Sequence, residues 1–183
     1  MRIVGGKYRH RLISFPDDMA HTRPTKDRIR EAIFSALGNI EGSVVLDLYA
    51  GSGAMGIEAL SRGAKEVVFV DISPLAVLTI KGNLNSLKVP ETDYQIIKNK
   101  DLNALSLFKE RKQRFDLVLL DPPYELGEYE KIVSLLHEYD LLSERAILVL
   151  ESNRSVKLEN VDYIKNKEYH YGDINVFIYW RSL

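Results

Sequence analysis

An aspartate, two prolines and a tyrosine follow an apolar run, and this corner has the groups needed to bind a planar amine. The run is 115–120, and Asp121, Pro122, Pro123 and Tyr124 come directly after it. Because prolines have a fixed φ and no N–H, the Pro122 carbonyl is held in a nearly constant direction. With the Asp121 carboxylate it supplies two adjacent acceptors, which match the two donors of an exocyclic NH2 group. Tyr124 can then lie over the ring that carries the amine.

The same corner can activate that amine for transfer of a methyl group. The lone pair of a nucleobase amine is delocalised into the ring, so the nitrogen is a poor nucleophile. Hydrogen bonds from its N–H groups to Asp121 and Pro122 favour the positive charge that develops during attack. Alignment with an activated methyl donor then supplies most of the catalysis, and Asp121 can accept the departing proton. The chain has no cysteine, which excludes a covalent cysteine adduct on a ring carbon.

A glycine pattern at residues 51–56 predicts a nucleotide-binding turn. It reads GxGxxG, follows the apolar run 44–48 and opens the helix-like segment 54–62, which is the context such a turn requires. Asp71 ends the next apolar run, where an acid can bind the hydroxyl pair of a ribose. The alternative is a tight turn between strand and helix that holds no ligand.

Asp47 indicates which nucleotide binds, because it interrupts a strand that is otherwise apolar. A fixed carboxylate would repel a pyrophosphate and attract a cationic amino-acid group. S-adenosylmethionine has a ribose, an adenine, an ammonium and a sulfonium but no phosphate, so we predict it as the cofactor. Asp101 follows the third strand and can accept from the adenine amine, cap the next helix, or both. For Asp47 the alternative is a structural hydrogen bond. The predicted cofactor residues are Asp47, Ala50, Gly51, Ser52, Gly53, Gly56, Asp71, Ile72, Asp101 and Leu102.

The elements that carry these residues alternate between strand and helix after residue 43. Such alternation predicts an α/β fold with a parallel sheet covered on both faces. The tail breaks the pattern, since 161–169 and 174–181 predict an antiparallel hairpin at the sheet edge. Five parallel strands followed by a hairpin are typical of a Rossmann-like class I methyltransferase sheet of seven strands. The predicted parallel strands are 44–48, 66–70, 94–97, 115–120 and 146–150, and the helices between them are 54–62, 74–87, 102–109 and 129–139.

The first part of the chain is basic, and we predict that it binds a polyanion. Residues 1–30 hold eight Lys or Arg and three acids, so they carry +5 and leave −6 for the rest of a chain whose net charge is −1. A solvated basic surface without a partner is the alternative. The predicted RNA-binding residues are Arg2, Lys7, Arg9, Arg11, Arg23, Lys26 and Arg30.

We predict two regions, a basic N-terminal extension at 1–24 and a catalytic domain at 25–183. In the extension, residues 3–4 and 12–13 predict a short strand pair around a glycine turn, and 14–24 a loop. Thr25 can then cap a helix that begins at Lys26 and ends at Gly38, with Ile29, Ala32, Ile33, Ala36 and Leu37 on its buried face.

Composition bounds the remaining possibilities. The chain has 183 residues, 45% of them hydrophobic and 28% charged, which are values typical of a soluble globular protein with one main domain. It has no apolar run of the ~20 residues that a membrane helix needs and no signal-like apolar start. The lack of cysteine fits the cytoplasm, where we expect the protein. We predict no metal site, because the histidines are scattered, namely His10, His21, His137 and His170.

Taken together, these motifs resemble the RsmD family of bacterial 16S rRNA guanine-N2 methyltransferases. The resemblance covers nearly the whole chain and is strongest at residues 1–9, 23–31, 47–63 and 121–124. It implies methylation of one guanine N2 in small-subunit rRNA, presented within an assembled particle, by a protein expected to be a monomer. Carried over by position, it assigns the cofactor to Asp47, Gly51, Gly53, Asp71 and Asp101, and the guanine to residues 121–124.

Three other functions stay open from the residues themselves. An adenine-N6 methyltransferase acting on DNA or RNA shares the motif at 121–124, but it would usually carry a separate target-recognition segment. A nicotinamide-linked oxidoreductase would share the glycine loop, and Asp47 argues against it. A non-catalytic RNA-binding assembly factor would not need Asp47 and residues 121–124 intact.

Overall fold

The computed structural model describes residues 1–16, 27–123, 128–158 and 163–181. Helices and strands alternate in it after residue 43, as predicted. The described elements are α1 (Asp27–Leu37), β1 (Val44–Leu48), α2 (Ala54–Ser61), β2 (Glu66–Asp71), α3 (Pro74–Leu87), β3 (Tyr94–Lys98), α4 (Asp101–Glu110), β4 (Phe115–Leu120), α5 (Tyr129–Glu138), β5 (Leu142–Ser152), β6 (Tyr163–Tyr171) and β7 (Ile174–Arg181).

All seven predicted strands are present, and they form one sheet in the order β3-β2-β1-β4-β5-β7-β6. The strands from β1 to β5 are parallel, whereas β7 runs antiparallel to both β5 and β6. The predicted Rossmann-like sheet with a terminal hairpin is therefore confirmed. Strands β2 and β3 lie on one side of β1, and after β3 the chain crosses to β4 on the other side of β1. This reversal opens a crevice at the carboxyl ends of β1 and β4.

Two apolar layers cover the sheet, one on each face, and together they explain the sequence pattern of its strands. One side packs against α1, α2 and α3 and is called the α1 face below. The other side packs against α4 and α5 and is called the α4 face. Because strand side chains alternate, β1 sends Val45 and Asp47 to the α1 face and Leu46 and Leu48 to the α4 face. Strands buried on both faces need apolar residues at nearly every position, which is the pattern that predicted them.

The N-terminal segment folds back on itself and packs against α2. The predicted strand pair is present as a single antiparallel bridge between Arg2 and Leu12. The Glu58 carboxylate accepts hydrogen bonds from the N–H groups of Val4 (3.0 Å) and Gly5 (2.8 Å). At Gly6, φ is +73° and a Cβ would lie 1.7 Å from the Ser61 carbonyl oxygen, so only glycine fits. These contacts hold the segment against the body of the protein.

Helix α1 differs from its prediction in the residues that it buries. It ends before Gly38, as predicted, while the predicted cap Thr25 and first residue Lys26 lie outside the described residues. Ala32 and Ala36 are only partly buried, whereas Arg30 is buried. The buried face is therefore rotated towards Arg30 and consists of Ile29, Arg30, Ile33, Phe34 and Leu37.

The remaining boundaries differ only locally. The predicted strand 146–150 is longer in the structure and spans Leu142–Ser152, which brings Glu151 into the strand. Most of the predicted loop at 14–24, and residues 161–162 of the predicted hairpin, lie outside the described residues. Among the helices that the structure describes, none has the length and apolar character to cross a membrane.

Candidate active site

The glycine loop forms a tight turn between β1 and α2, as the sequence predicts. Gly51 and Gly53 have φ values of +56° and +78°, in the left-handed region that favours glycine. Gly56 allows the helix to pack closely, since a Cβ there would lie 2.3 Å from Cε1 of Phe69. The N–H groups of Tyr49 and the next residue both donate to the Val70 carbonyl, at 3.0 and 2.9 Å. The loop is thereby fixed against the end of β2.

Asp47 lies beneath this loop and binds it. Its side chain is buried at 4% exposure, and its Oδ2 accepts a hydrogen bond from the Gly56 N–H at 2.9 Å. Burial raises the pKa of Asp47 to about 7, against the lowering effect of the Gly56 hydrogen bond and with a further increase from the Asp71 charge. The structural hydrogen bond considered as an alternative is therefore present. A contact with the cofactor stays a prediction.

Asp71 holds the same loop from β2. Its Oδ2 accepts from the Gly51 N–H at 2.8 Å, and its Oδ1 accepts from the Ser73 N–H at 2.9 Å. The next residue, Ile72, is 60% exposed and presents an apolar surface beside the carboxylate. A carboxylate next to an exposed aliphatic side chain suits a ligand with hydroxyl groups and a flat ring.

Asp101 begins α4 and contacts Tyr49 at the end of β1. Tyr49 was not among the predicted site residues. Its Oδ1 accepts from the Leu102 N–H at 2.7 Å, and its Oδ2 accepts from the Tyr49 hydroxyl at 2.6 Å. Burial, followed by this hydrogen bond, raises the pKa of Tyr49 above its ordinary value. Tyr49 therefore links β1 to α4. Asp101 is the first residue of α4 and Lys100 is its cap, so the predicted cap position is wrong, although the Asp101 side chain accepts from the Leu102 N–H in the first turn.

The acceptor corner lies at the end of β4. Pro122 is buried, whereas Asp121 and Pro123 can be reached from solvent, and Tyr124 lies outside the described residues. Although the residue is exposed, its carboxyl group loses hydration beside the small cavity that Asp121 lines with Asp47 and Glu151, and the charges of these two acids add to this effect. Together they raise the pKa of Asp121 well above its ordinary value. A carboxylate with a raised pKa is a better proton acceptor.

Glu151 is a further acid at this corner that the sequence analysis missed. Leu120 of β4 pairs with Leu150 of β5, so Asp121 and Glu151 follow at adjacent positions. Glu151 is 4% exposed and lines a cavity of about 20 Å³ together with Asp47, Asp121 and Met55. A space of that size holds about one water molecule. The signal was available, because an acid directly after a predicted strand is the same pattern that identified Asp71.

The predicted RNA-binding residues fall into three groups. Arg30 is not available to RNA, because it is only 1% exposed and its Nε lies 3.3 Å from Oε2 of Glu58. Its Nη2 also donates to Oδ1 of Asp27 at 2.9 Å, so this prediction is wrong. Two further predicted residues, Arg23 and Lys26, lie outside the described residues. The others are exposed and stay predictions, namely Arg2, Lys7, Arg9 and Arg11.

The donors and acceptors around the loop fit S-adenosylmethionine better than a dinucleotide. In dinucleotide sites the loop N–H groups face a pyrophosphate. Here the Gly51 and Gly56 N–H groups donate to Asp71 and Asp47. The acceptors left for a ligand are therefore carboxylates, which suit ammonium, sulfonium, hydroxyl and amino groups. The described residues contain no cluster of three or more histidines or acids arranged to hold a metal ion.

Comparisons with known proteins extend this picture to the whole chain. The model of the family described as Conserved hypothetical protein 95 matches residues 1–180. The ribosomal RNA small subunit methyltransferase D of Haemophilus influenzae is 34% identical over 171 residues, which cover 91% of this chain and 88% of the relative. The protein of the same name from Escherichia coli K12 is 33% identical over 83% of this chain and 74% of the relative.

A solved structure agrees with the fold over the full length. The hypothetical protein TTHA0928 of Thermus thermophilus superposes with a TM-score of 0.82 at 26% identity, covering 100% of this chain and 99% of the other. The family match, the sequence identity and the superposition all extend over the same elements. The chain therefore belongs to the Conserved hypothetical protein 95 family, which is the RsmD family that its motifs resemble.

Proposed function

We propose that this protein transfers a methyl group from S-adenosylmethionine to the exocyclic N2 of one guanine in 16S rRNA. Relatives that align along most of the chain carry the name ribosomal RNA small subunit methyltransferase D. The observation that carries the proposal is the meeting of Asp121, Glu151 and Asp47 at one cavity beside the glycine loop. The amine and the methyl donor would then bind next to each other.

The cofactor would bind along the carboxyl ends of β1, β2 and β3. When bound, it supplies an electrophilic methyl group on a sulfonium. Carboxylates would hold its cationic, hydroxyl and amino groups, and apolar side chains would contact its adenine. The residues proposed to hold it are Asp47, Ala50, Gly51, Ser52, Gly53, Gly56, Asp71, Ile72, Asp101 and Leu102.

The acceptor corner orients the amine and receives its proton. Pro122 is buried, so its backbone is fixed, and its carbonyl can accept one N–H of the amine while Asp121 accepts the other. These bonds favour the positive charge that the nitrogen gains as it attacks. Asp121, whose pKa is raised, then accepts the proton that the nitrogen loses.

Glu151 favours guanine over adenine at this corner. Guanine presents two adjacent donors on its Watson–Crick edge, N1–H and the N2 amine. Glu151 supplies a second carboxylate beside Asp121 and can accept from N1–H. Adenine has an unprotonated N1 in the neighbouring position, and this acceptor would face the lone pairs of a carboxylate. A buried acceptor without a donor is unfavourable, so the second acid selects against adenine.

The substrate, location and assembly state belong to the same proposal. We infer that the protein acts as a monomer in the cytoplasm on 16S rRNA within the small ribosomal subunit or its precursor. The exposed cations at Arg2, Lys7, Arg9 and Arg11 support contacts with RNA phosphates, to which Arg23 and Lys26 would add. Pocket contacts would then select the base.

Replacing Asp121 tests the division of roles between the corner and the cofactor loop. D121A should lower kcat by about a hundredfold or more. The amine loses one of its two hydrogen-bond acceptors, and the carboxylate that accepts its proton is removed. Calorimetric affinity for S-adenosylmethionine should change by less than about twofold, since the loop residues remain. Unchanged kcat, or a folded D121A variant that no longer binds the cofactor, would contradict the proposal.

D140N is the matched control. Asp140 is an exposed aspartate with a φ of +54°, a conformation that asparagine tolerates well, and it pairs with Arg114. This exposed site lies in the turn after α5, so methylation by D140N should equal that of the unaltered protein. A loss of activity in D140N equal to that in D121A would show that the assay responds to general damage.

A further inference from the structure

The side chains that β6 presents on one face of the sheet differ in chemistry from those on the other face. Lys165 pairs with Trp180, Lys167 with Ile178, and Tyr169 with Val176 of β7. Paired residues of antiparallel strands point to the same face, and Val176 and Ile178 belong to the core beneath the α1 face. The alternate residues, including Glu168 and His170, point to the α4 face. We call the set on the α1 face the hairpin platform, and it consists of Lys165, Lys167, Tyr169, Tyr171 and Trp180.

The hairpin platform combines aromatic rings with cations. The rings of Tyr169 and Tyr171 have centroids 6.4 Å apart and planes 15° apart, so they are stacked. Lys165 Nζ lies 4.9 Å from the centroid of the Trp180 ring. The three aromatic residues are partly exposed, and Lys165 and Lys167 are exposed. Because the backbone is fixed in the sheet, a ligand could bind here without ordering a loop.

The hairpin platform lies in line with the acceptor corner. Glu151 of β5 pairs with Val176 of β7, and Val176 pairs with Tyr169 of β6. Neighbouring strands are about 4.8 Å apart, so Tyr169 is about 10 Å from Glu151 along this row. Stacked bases in a strand are about 3.4 Å apart, so this backbone distance equals about three stacked nucleotides, which would pass over the protein that covers the buried Val176. Both ends of the row lie on the α1 face.

We propose that the hairpin platform binds the unpaired nucleotides that flank the target guanine. The proposal rests on the function proposed above, because a base moved into the acceptor corner leaves its neighbours without a stacking partner. Aromatic rings accept such bases regardless of sequence, and lysines beside them bind the phosphates. Glu168, the one acid of β6, points to the opposite face, so the α1 face of this strand carries aromatic and cationic side chains that complement RNA.

Substitution of the tyrosines tests the proposal directly. The probe is a short single-stranded oligouridine with one central guanine, and binding is measured by fluorescence anisotropy. Y169A/Y171A should bind this RNA about tenfold or more weakly, because each base that loses its aromatic partner costs about five- to 150-fold. Y169F/Y171F should retain the affinity of the unaltered protein, since stacking uses the ring. The affinity for S-adenosylmethionine should stay the same in both variants.

Two further variants guard against a folding defect. E168A/H170A alters the opposite face of the same strand and should leave RNA affinity unchanged. K165A/K167A keeps the aromatic rings and should reduce the slope of log affinity against log salt concentration by about 1. Both pairs are exposed, so neither should disturb the core.

The outcomes separate this inference from the proposed function. No binding of the single strand by the unaltered protein, tighter binding of the same sequence as a duplex, or full affinity in Y169A/Y171A would overturn the inference. Equal losses in the alanine and phenylalanine variants would overturn it as well. If the variants behave as expected but no N2-methylguanosine forms on rRNA, the hairpin platform is a site for single-stranded RNA, whereas the proposed function and the target guanine fail. If N2-methylguanosine forms at full efficiency in Y169A/Y171A, the proposed function stands and the inference about the hairpin platform fails.

Discussion

Asp47 should make the protein less stable as the pH rises from about 4 to about 7. The ordinary pKa of this carboxyl is 3.8, and burial raises it to about 7 in the folded chain. Below about pH 4 both the folded and the unfolded chain hold the proton, so Asp47 has no effect there. Between about pH 4 and pH 7 only the folded chain holds this proton, so stability falls as the pH rises. The loss is complete above about pH 7. At about 1.4 kcal/mol per pH unit, the loss reaches about 4 kcal/mol.

The substitution D47N isolates this effect. Asparagine has nearly the same shape, and its carbonyl oxygen can still accept from the Gly56 N–H, but it carries no charge. At about pH 8, D47N should be more stable than the unaltered protein by up to about 4 kcal/mol, and at about pH 4 the two should be nearly equal. Urea titrations followed by circular dichroism at both pH values measure this difference. Asp121 contributes its own pH dependence, which D47N would reduce, because the Asp47 charge helps to raise the pKa of Asp121.

Two results would refute this reasoning. One is a stability difference between D47N and the unaltered protein that does not change with pH, and the other is a D47N protein less stable at about pH 8. If Asp47 also binds the cofactor, D47N should lose affinity for S-adenosylmethionine while it gains stability. A gain in stability with a loss in binding is typical of residues kept for function.

Three further substitutions test the packing and the basic surface. E58A should lower the free energy of unfolding by about 3–5 kcal/mol in a urea titration, because the buried Arg30 and the N–H groups of the first residues lose this acceptor; an unchanged midpoint would count against it. G56A should cost about 1–3 kcal/mol in the same assay, because its Cβ would meet Phe69; full stability would contradict this packing. R9A/R11A should weaken RNA binding and its salt dependence but not cofactor binding, and an unchanged salt slope would argue against phosphate contacts there.

The sequence predicts the sheet well because its strands are buried on both faces. Such strands need continuous apolar runs, and the runs at Val44–Leu48 and Phe115–Leu120 have the same bounds in the structure. The longer extent of β5, Leu142–Ser152, was not predicted because three polar and at least partly exposed residues, Ser143, Glu144 and Arg145, separate the buried Leu142 from the apolar run. These residues interrupt the apolar pattern, although the backbone continues as a strand.

The site is predictable in its residue types but not in its hydrogen bonds. Asp47, Asp71 and Asp101 all lie at the crevice, as expected from their positions after or near strand ends. Their bonds to Gly56, Gly51 and the Tyr49 hydroxyl depend on the backbone of the turn, which residue spacing does not fix. The structural hydrogen bond left open for Asp47 is present, and Asp71, which was expected to bind a ribose, holds the loop in place.

Arg30 shows a second limit of sequence reasoning. A charged residue in an amphipathic helix is normally assigned to the solvent side. Its partner Glu58 is on α2, and no local pattern links the two residues. The register that places Glu151 beside Asp121 is likewise a property of the assembled sheet.

Identification of the methylated nucleoside tests the central claim most directly. The protein is incubated with methyl-labelled S-adenosylmethionine and unmodified small ribosomal subunits or free 16S rRNA, and the labelled RNA is digested to nucleosides. We expect the label to elute as N2-methylguanosine. Label in N6-methyladenosine, or no transfer to either RNA, would contradict it.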